Sequence, residues 1–150
     1  MTQEEGQTLR QKSTELMARG HNCAQAVAGA FADRPGLATA SALRVAASLG
    51  GGMKCASVCG AVSGALLVTG LRFGSADPAD KTARDAAGYA AKEFLRAFTE
   101  KHGALTCREL LGIDISTEKG ARSARDAKLF TTICPELVGD AAQILVEQGY

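Results

Sequence analysis

Apolar side chains recur three and four residues apart along the chain, which is the spacing of one face of an α-helix. Leu9, Leu16 and Met17 show this pattern near the start. The sequence is rich in the helix formers Ala, Leu, Arg, Lys, Glu and Gln, and no four-residue stretch alternates as a β-strand does. The pattern predicts an all-α fold, a single compact bundle of about six to eight helices formed by residues 1–150 as one domain.

Residues that cap or break helices divide this bundle into elements. Thr2 with Glu5, and Thr106 with Glu109, have the spacing of capping boxes. The first predicted elements are a helix near 3–19, a helix capped by Asn22 and ending at the 33–36 turn, and a helix about 39–49. They are followed by an apolar helix starting between Cys55 and Cys59 and ending near 73–74, and by a long helix opened by Asp77-Pro78 and ended by Gly103. The last elements are a short helix ended by Gly112, a loop plus a solvated helix within 113–130, and a terminal helix opened by Cys134-Pro135-Glu136.

The segment from Cys55 to Leu71 contains no charged side chain. Its length is marginal for a membrane span, and it also holds Ser57, Ser63 and Thr69. We therefore expect a buried, glycine-rich helix at the centre of the bundle.

The charge balance limits the classes of partner. The net charge is +1, from 17 Lys and Arg against 16 Asp and Glu, so no broad charged surface for nucleic acid or an acidic membrane is expected. The first residues, Met-Thr-Gln-Glu-Glu-Gly, have neither the basic nor the apolar region of a secretory signal. We expect a cytoplasmic protein with no nucleic-acid or membrane partner.

The cysteines fall at or near predicted helix starts: Cys23, Cys55, Cys59, Cys107 and Cys134. A helix start presents unpaired N–H groups and about half a positive charge, which favours an anion such as thiolate. There the pKa of a cysteine can fall from about 8.5 to roughly 3.5–7.5. The plainer alternative is that these cysteines are small buried apolar residues. Because so many share one kind of position, we favour reactive thiols.

The spacing of the cysteines excludes several motifs but leaves three chemistries open. There is no Cys-x-x-Cys, so thioredoxin-type, haem-attachment and zinc-ribbon motifs are absent. Cys55 and Cys59 are the one close pair, and the other cysteines must be brought together by the fold. The open chemistries are a four-cysteine iron–sulfur site, a zinc or other soft-metal site without a redox role, and metal-free dithiols that cycle to disulfides.

Gly60 and Gly64 lie four residues apart on the predicted apolar helix. Glycine inside a helix costs roughly 0.5–1 kcal/mol relative to alanine, so something must gain from close backbone approach there. A tightly crossing helix is the favoured explanation, and a cofactor lying against the helix is the alternative.

Other polar residues carry less information. His21 precedes Cys23 closely, and Lys54 and Arg108 adjoin cysteines, but we expect structural or solvated roles for them and helix-end neutralisation for His102. No Ser-His-Asp set, phosphate-binding loop or carboxylate pair predicts a hydrolase or transferase. Oxidoreductase activity is the enzymatic class left open.

Five segments of the chain together carry a family resemblance: 22–27 (Asn-Cys-Ala-Gln-Ala-Val), 50–53 (Gly-Gly-Gly-Met), 59–65 (Cys-Gly-Ala-Val-Ser-Gly-Ala), 107–110 (Cys-Arg-Glu-Leu) and 134–135 (Cys-Pro). They resemble the C_GCAxxG_C_C family of redox-active proteins, and the likeness extends over about residues 4–147. Its Cys-Gly-Ala-x-x-Gly core, in order with three flanking cysteines, is far more specific than a lone short motif.

The resemblance places the family cysteines on Cys23, Cys59, Cys107 and Cys134. It implies that these are redox thiols in a metal-free protein, or ligands of a metal or cluster, with Cys55 as an additional candidate ligand. Gly60 and Gly64 would then be close-approach positions beside a cofactor.

The same family resembles the cysteine-bearing domain of split-Soret-type cytochromes, where such a domain is associated with an iron–sulfur cluster. The resemblance therefore implies electron transfer or redox sensing through an iron–sulfur centre. Haem is not expected, because the attachment motif is missing. A redox partner protein or a small-molecule oxidant is implied but not identified, and the chain could form a homodimer.

Overall fold

Nine helical segments form the protein in a computed structural model that describes residues 1–150. They are α1 (Gln3–Ala18), α2 (Cys23–Phe31), α3 (Thr39–Val45), the π-helical segment Gly52–Ala56, α4 (Gly60–Phe73), α5 (Lys81–His102), α6 (Cys107–Leu111), α7 (Glu118–Asp126) and α8 (Leu129–Glu147). The one β-type contact is an isolated antiparallel bridge between Val58 and Thr106. The all-α prediction is confirmed, with one helical segment more than the predicted upper number.

The centre of the fold is the crossing of α2 and α4. Seven of the nine residues of α2 and eight of the fourteen residues of α4 are buried. A Cβ at Gly60 would lie 2.8 Å from the Ala24 nitrogen, and a Cβ at Gly64 would lie 2.6 Å from the Ala24 carbonyl oxygen. Glycine at both positions therefore lets the two backbones touch. The predicted buried central helix is confirmed, and its glycines approach another helix.

Local capping explains why several helices begin where the sequence predicts. Thr2 accepts from the Glu5 N–H while Glu5 accepts from the Thr2 N–H, at 3.1 and 2.7 Å. Asn22 and Gln25 make the same reciprocal contact at the start of α2, at 2.9 and 3.0 Å. Each box satisfies two backbone donors that the first turn of a helix leaves free.

The long helix α5 starts at Lys81, so the prediction that Asp77-Pro78 opens it is wrong. Asp77 instead accepts from the Ala79 N–H at 2.9 Å and closes a turn, while Asp80 caps the helix by accepting from the Ala83 N–H at 2.9 Å. Two aspartates three residues apart compete for the cap, and the later one holds it. The predicted end is confirmed, because Gly103 has a left-handed φ of 78°.

The terminal helix α8 begins at Leu129, so the prediction that Cys134-Pro135 opens it is also wrong. The hydroxyls of Thr131 and Thr132 both donate to the Lys128 carbonyl, at 3.1 and 2.8 Å, and hold the first turn. Pro135 lies inside the helix, where it lacks an N–H for the Thr131 carbonyl. Packing against the core outweighs that loss, since nine residues of α8 are buried.

The end of α3 differs from its prediction, whereas the stretch 113–130 agrees with it. α3 ends at Val45, four residues before the predicted end: the Ala46 N–H still donates to the Ala42 carbonyl, and residues 46–48 form a turn. The stretch 113–130 contains a loop followed by α7, as predicted. Phe94 and Phe98 of α5 are buried in the core.

By length and hydropathy α8 is the one helix that could cross a membrane. Half of its most apolar window is buried inside the fold, against α1, α2, α4 and α5. Core helices of folded domains have the same composition, so this feature alone is weak support for a membrane span.

Candidate functional site

Four of the five cysteines meet at one cavity of about 160 Å³, which we call the cysteine cavity. Each comes from a different element: Cys23 is the first residue of α2, Cys59 caps α4, Cys107 is the first residue of α6, and Cys134 lies in α8. The rest of the lining is mainly apolar and comprises Met17, Asn22, Gly51, Leu111, Ile115, Phe130 and Leu137. The structure thus brings together the four cysteines that the family resemblance singles out.

A short backbone ladder aligns Cys59 with Cys107. The Cys59 N–H donates to the Leu105 carbonyl at 2.8 Å, and the Cys107 N–H donates to the Ser57 carbonyl at 2.8 Å. These two bonds flank the bridge between Val58 and Thr106. The ladder fixes the two short segments that precede α4 and α6. It therefore holds the sulfurs of Cys59 and Cys107 on the same side of the site.

Close packing around Asn22 positions Cys23. Asn22 caps α2 and also donates its side-chain amide to the Ala47 carbonyl at 2.9 Å. A Cβ at Gly50 would lie 2.6 Å from Asn22, and a Cβ at Gly60 would lie 3.0 Å from the Cys23 Cβ. Two glycines therefore leave just enough room for the turn that carries Cys23.

Cys134 reaches the cavity from the body of a helix, not from its start, because α8 begins five residues earlier than its cysteine. Phe130, Cys134 and Leu137 follow helical spacing and all face the cavity. Neither Phe130 nor Leu137 was predicted to line the cavity. The same spacing would have revealed them had the helix been extended back to Leu129.

Cys55 lies outside the cavity. It belongs to the π-helical segment, its side chain is exposed, and its thiol donates to the Gly52 carbonyl at 3.4 Å. Met53 and Lys54, beside it, have left-handed φ values of 59° and 62°. α4 begins at Gly60 with Cys59 as its cap, at the later end of the predicted range from Cys55 to Cys59, and the π-helical segment keeps Cys55 out of this helix.

The thiols of Cys59 and Cys107 interact as one pair. Hydrogen bonding to the Cys107 thiol lowers the pKa of Cys59, and the backbone N–H groups of Ala61 and Val62 lower it further against the effect of burial. The pKa of Cys107 is raised by the same interaction with Cys59 and by burial. Cys59 is therefore the thiol of this pair that ionises first.

Cys23 and Cys134 form the second pair. Hydrogen bonding to the Cys23 thiol lowers the pKa of Cys134. The pKa of Cys23 is raised well above its ordinary value by hydrogen bonding to Cys134, by burial and by the negative charge of the neighbouring cysteines. Each pair thus contains one thiol whose pKa is lowered and one whose pKa is raised.

Of the three cavity cysteines at helix starts, only Cys59 has a lowered pKa, and its largest cause is the hydrogen bond to the Cys107 thiol, with a smaller contribution from the N–H groups at the start of α4. Cys23 and Cys107 also begin helices, but burial and an adjacent sulfur outweigh the positive helix end at both. The basic residues near the cysteines do not reach the cavity lining: Lys54 is exposed, and Arg108 pairs with Asp114 at 3.3 Å. The thiolates are therefore stabilised by neighbouring thiols and backbone N–H groups.

The two histidines lie elsewhere. His21 lines a groove beside the cavity. His102 is the last residue of α5, and its Nε2 lies 3.2 Å from the buried carboxylate of Asp140, which also contacts Arg10 at 3.0 Å and Lys101 at 3.4 Å. The sequence did not predict this cluster, because its one sign is a single aspartate within an apolar helix.

Comparison with known proteins identifies the family. A family model described as "Putative redox-active protein (C_GCAxxG_C_C)" matches residues 21–148. No curated protein and no solved structure shows a significant match. The matched range includes all four cavity cysteines and every helical segment except α1. The chain therefore belongs to the C_GCAxxG_C_C family of redox-active proteins.

Proposed function

We propose that the protein transfers electrons, or senses redox state, through an iron–sulfur cluster held by Cys23, Cys59, Cys107 and Cys134. The observation that carries this proposal is the convergence of four thiols, from four separate elements, on one cavity. Four cysteines from distant parts of a chain rarely need to meet unless they act on one centre. Membership of a redox-active family supports a redox role for these cysteines.

The donor chemistry of the cavity fits such a cluster. Iron–sulfur clusters are bound by cysteine thiolates, commonly four of them. Two of the cavity thiols have lowered pKa values, so they lose their protons most easily when a metal arrives. The remaining lining is mainly apolar, which keeps water away from the sulfurs. A bound cluster would supply one-electron transfer at a potential set by burial and by hydrogen bonds to sulfur.

This chain's own backbone would hold and tune the ligands. The N–H groups of Ala61 and Val62 act on Cys59, and the N–H of Gly60 acts on Cys107. Hydrogen bonds of this kind stabilise negative charge on sulfur. The start of α4 therefore serves two of the four ligands at once.

Metal analysis of oxygen-free material tests the proposal. The chain is produced and purified anaerobically, reconstituted with iron and sulfide, freed of excess reagent, and assayed for iron, sulfide and zinc. We expect iron and sulfide in equal amounts and a brown protein with visible charge-transfer absorption that bleaches on reduction. A colourless protein with neither iron nor sulfide would overturn the cluster, and stoichiometric zinc would point to a metal site without redox function.

A second candidate is favoured by the pairing of the thiols. Without metal, the Cys59 thiolate would attack an acceptor disulfide and form a mixed disulfide, which releases one acceptor thiol. Cys107 would then lose its proton and displace the second acceptor thiol. The protein gains the Cys59–Cys107 disulfide and the acceptor gains two electrons and two protons. Cys23 and Cys134 could react in the same way.

Disulfide mapping separates this candidate from the cluster. Metal-free protein is oxidised with a small disulfide, the remaining thiols are blocked, and the digest is examined by mass spectrometry. The dithiol mechanism predicts Cys59–Cys107 and Cys23–Cys134 links that reverse on reduction, with Cys55 left free. It fails if all five thiols remain titratable after oxidation, or if the links join other cysteines at random.

A further inference from the structure

An open surface groove of about 470 Å³ adjoins the cysteine cavity. Met17 and Phe130 line both spaces, so their side chains form the wall between them. The groove lies between the end of α1 and the first turns of α8, and its other lining residues include Thr14, Ala18, His21, Thr131 and Pro135. A molecule in this groove would be separated from the four sulfurs by one layer of side chains.

The lining of the groove favours an uncharged ligand. None of its residues is a lysine, arginine, aspartate or glutamate. A phosphorylated cofactor would therefore find no fixed cation to pair with its charge. The volume lies within the roughly 300–1,000 Å³ that small-molecule sites occupy.

Three polar groups in the groove remain free to bind a ligand. The backbone N–H of His21 donates to the Leu16 carbonyl at 3.2 Å, while its half-buried imidazole has no hydrogen-bond partner in the chain. Pro135 has no N–H to donate to the Thr131 carbonyl, so this acceptor lacks its usual helical partner, and both residues line the groove. The Thr14 hydroxyl donates to backbone at 3.0 Å and keeps its lone pairs.

Together with the ring of Phe130, these groups match a flat molecule that accepts a hydrogen bond when oxidised and donates one when reduced. Quinones have this property: their carbonyl oxygens become hydroxyl groups on reduction. The proximity to a redox centre points to the same class.

We propose that the groove binds an uncharged quinone, which takes electrons from the cysteine centre through the wall formed by Met17 and Phe130. The inference rests on the proposed redox function and names its small-molecule acceptor. In the metal-free protein the step balances: Cys23 and Cys134 lose two protons and two electrons and form one disulfide, and the quinone gains both and becomes a hydroquinone. Cys134 follows Phe130 by four residues on one face of α8. The pair formed by Cys23 and Cys134 therefore lies next to the wall.

Tetramethylbenzoquinone is a suitable probe, because its ring is fully substituted and thiols cannot add to it. Reduced, metal-free protein is mixed with this quinone anaerobically, and the loss of quinone absorbance is followed. Ala18→Phe fills the groove and His21→Ala removes its donor, while Ala40→Phe places the same bulk on the exposed side of α3. Ferricyanide, a highly charged oxidant, measures the redox centre independently of the groove.

We expect the two groove variants to react with the quinone about tenfold more slowly than wild type below saturation, with Ala40→Phe unchanged. Ferricyanide rates should stay within about twofold in all variants. Equal quinone rates in wild type and both groove variants, with normal ferricyanide oxidation, would overturn the groove site alone. If ferricyanide and quinone both take no electrons from the wild type, the proposed function and the electron transfer fail together.

Discussion

Gly64 of α4 lies directly against Ala24 of α2: a Cβ at Gly64 would stand 2.6 Å from the Ala24 carbonyl oxygen and 3.0 Å from its Cα. The contact is with backbone, which cannot move aside as a flexible side chain can. The crossing that it permits holds α2 and α4 at the distance required to bring Cys23 and Cys59 to one cavity. Absence of a side chain at this one position therefore supports both the core and the site.

Replacing Gly64 by alanine should destabilise the fold, because the new methyl group overlaps backbone in a fully packed core. We expect a loss of about 2 kcal/mol or more in the free energy of unfolding, measured by urea titration followed by circular dichroism. Gly70 is the matched control, since it lies on the same helix with open space around its Cα. Gly70→Ala should be neutral or gain about 0.5–1 kcal/mol from helix propensity. Equal losses in both variants would contradict the close crossing.

The cysteines should differ in their rates of alkylation. In reduced, metal-free protein Cys55 is exposed, whereas Cys59 is 2% and Cys107 8% exposed. We expect iodoacetamide to label Cys55 about tenfold faster or more than the cavity cysteines, measured by quenching at intervals and peptide mass spectrometry. In denaturant all five should react at similar rates. Uniform labelling of the native protein would show that the cavity is open to reagent.

Asp140 should contribute measurably to stability. Its carboxylate is largely buried and faces three basic side chains, from Arg10, Lys101 and His102. Asp140→Asn removes the shared anion, so we expect a loss of about 1–3 kcal/mol by chemical denaturation. The surface pair Lys81–Asp85 is the control, and Asp85→Asn should change stability by less than about 0.5 kcal/mol. If the two substitutions changed the free energy of unfolding equally, the contacts of Asp140 with Arg10, Lys101 and His102 would add nothing to stability.

Asp114 should titrate at unusually low pH. Hydrogen bonds from the Ser116 hydroxyl and backbone N–H, together with Arg108, lower the pKa of Asp114. The pKa of Asp114 in the folded protein lies below that in the unfolded chain. Its carboxylate therefore contributes to the stability of the fold above the unfolded-state pKa, and this contribution is lost as pH falls through the folded-state pKa. NMR titration of the carboxyl carbon measures the pKa of Asp114 directly, and Ser116→Ala should raise this pKa toward its ordinary value. An identical pKa in both proteins would rule out the hydrogen bonds as the cause.

The features that the sequence predicted correctly are mostly local. The capping boxes at Thr2 and Asn22 depend on residues three positions apart, and both form as the spacing indicates. Gly103 and Gly112 end their helices in left-handed conformations, which glycine adopts without steric cost. The uncharged run that became α4 was also predictable, because no surface position suits so many apolar residues.

The errors arise where two local signals compete or where packing decides. Asp77 and Asp80 were equally good caps, and the sequence gives no reason to prefer the second. Pro135 is a strong helix-start signal, yet burial of one side of α8 keeps it inside a helix. The meeting of Cys59 and Cys107 depends on the bridge between Val58 and Thr106, a contact between distant segments that no periodicity reveals. The family resemblance identified the four cysteines without explaining how they meet.

A panel of single serine substitutions tests the central claim most directly. Each cysteine is changed in turn, each variant is checked for helical content, and iron, sulfide and visible absorption are measured after anaerobic reconstitution. We predict that wild type and Cys55→Ser bind the cluster equally, and that serine at position 23, 59, 107 or 134 abolishes or strongly reduces it. Loss of the cluster in Cys55→Ser, or full iron and sulfide in any folded variant of the other four, would contradict a single centre built from the cavity cysteines.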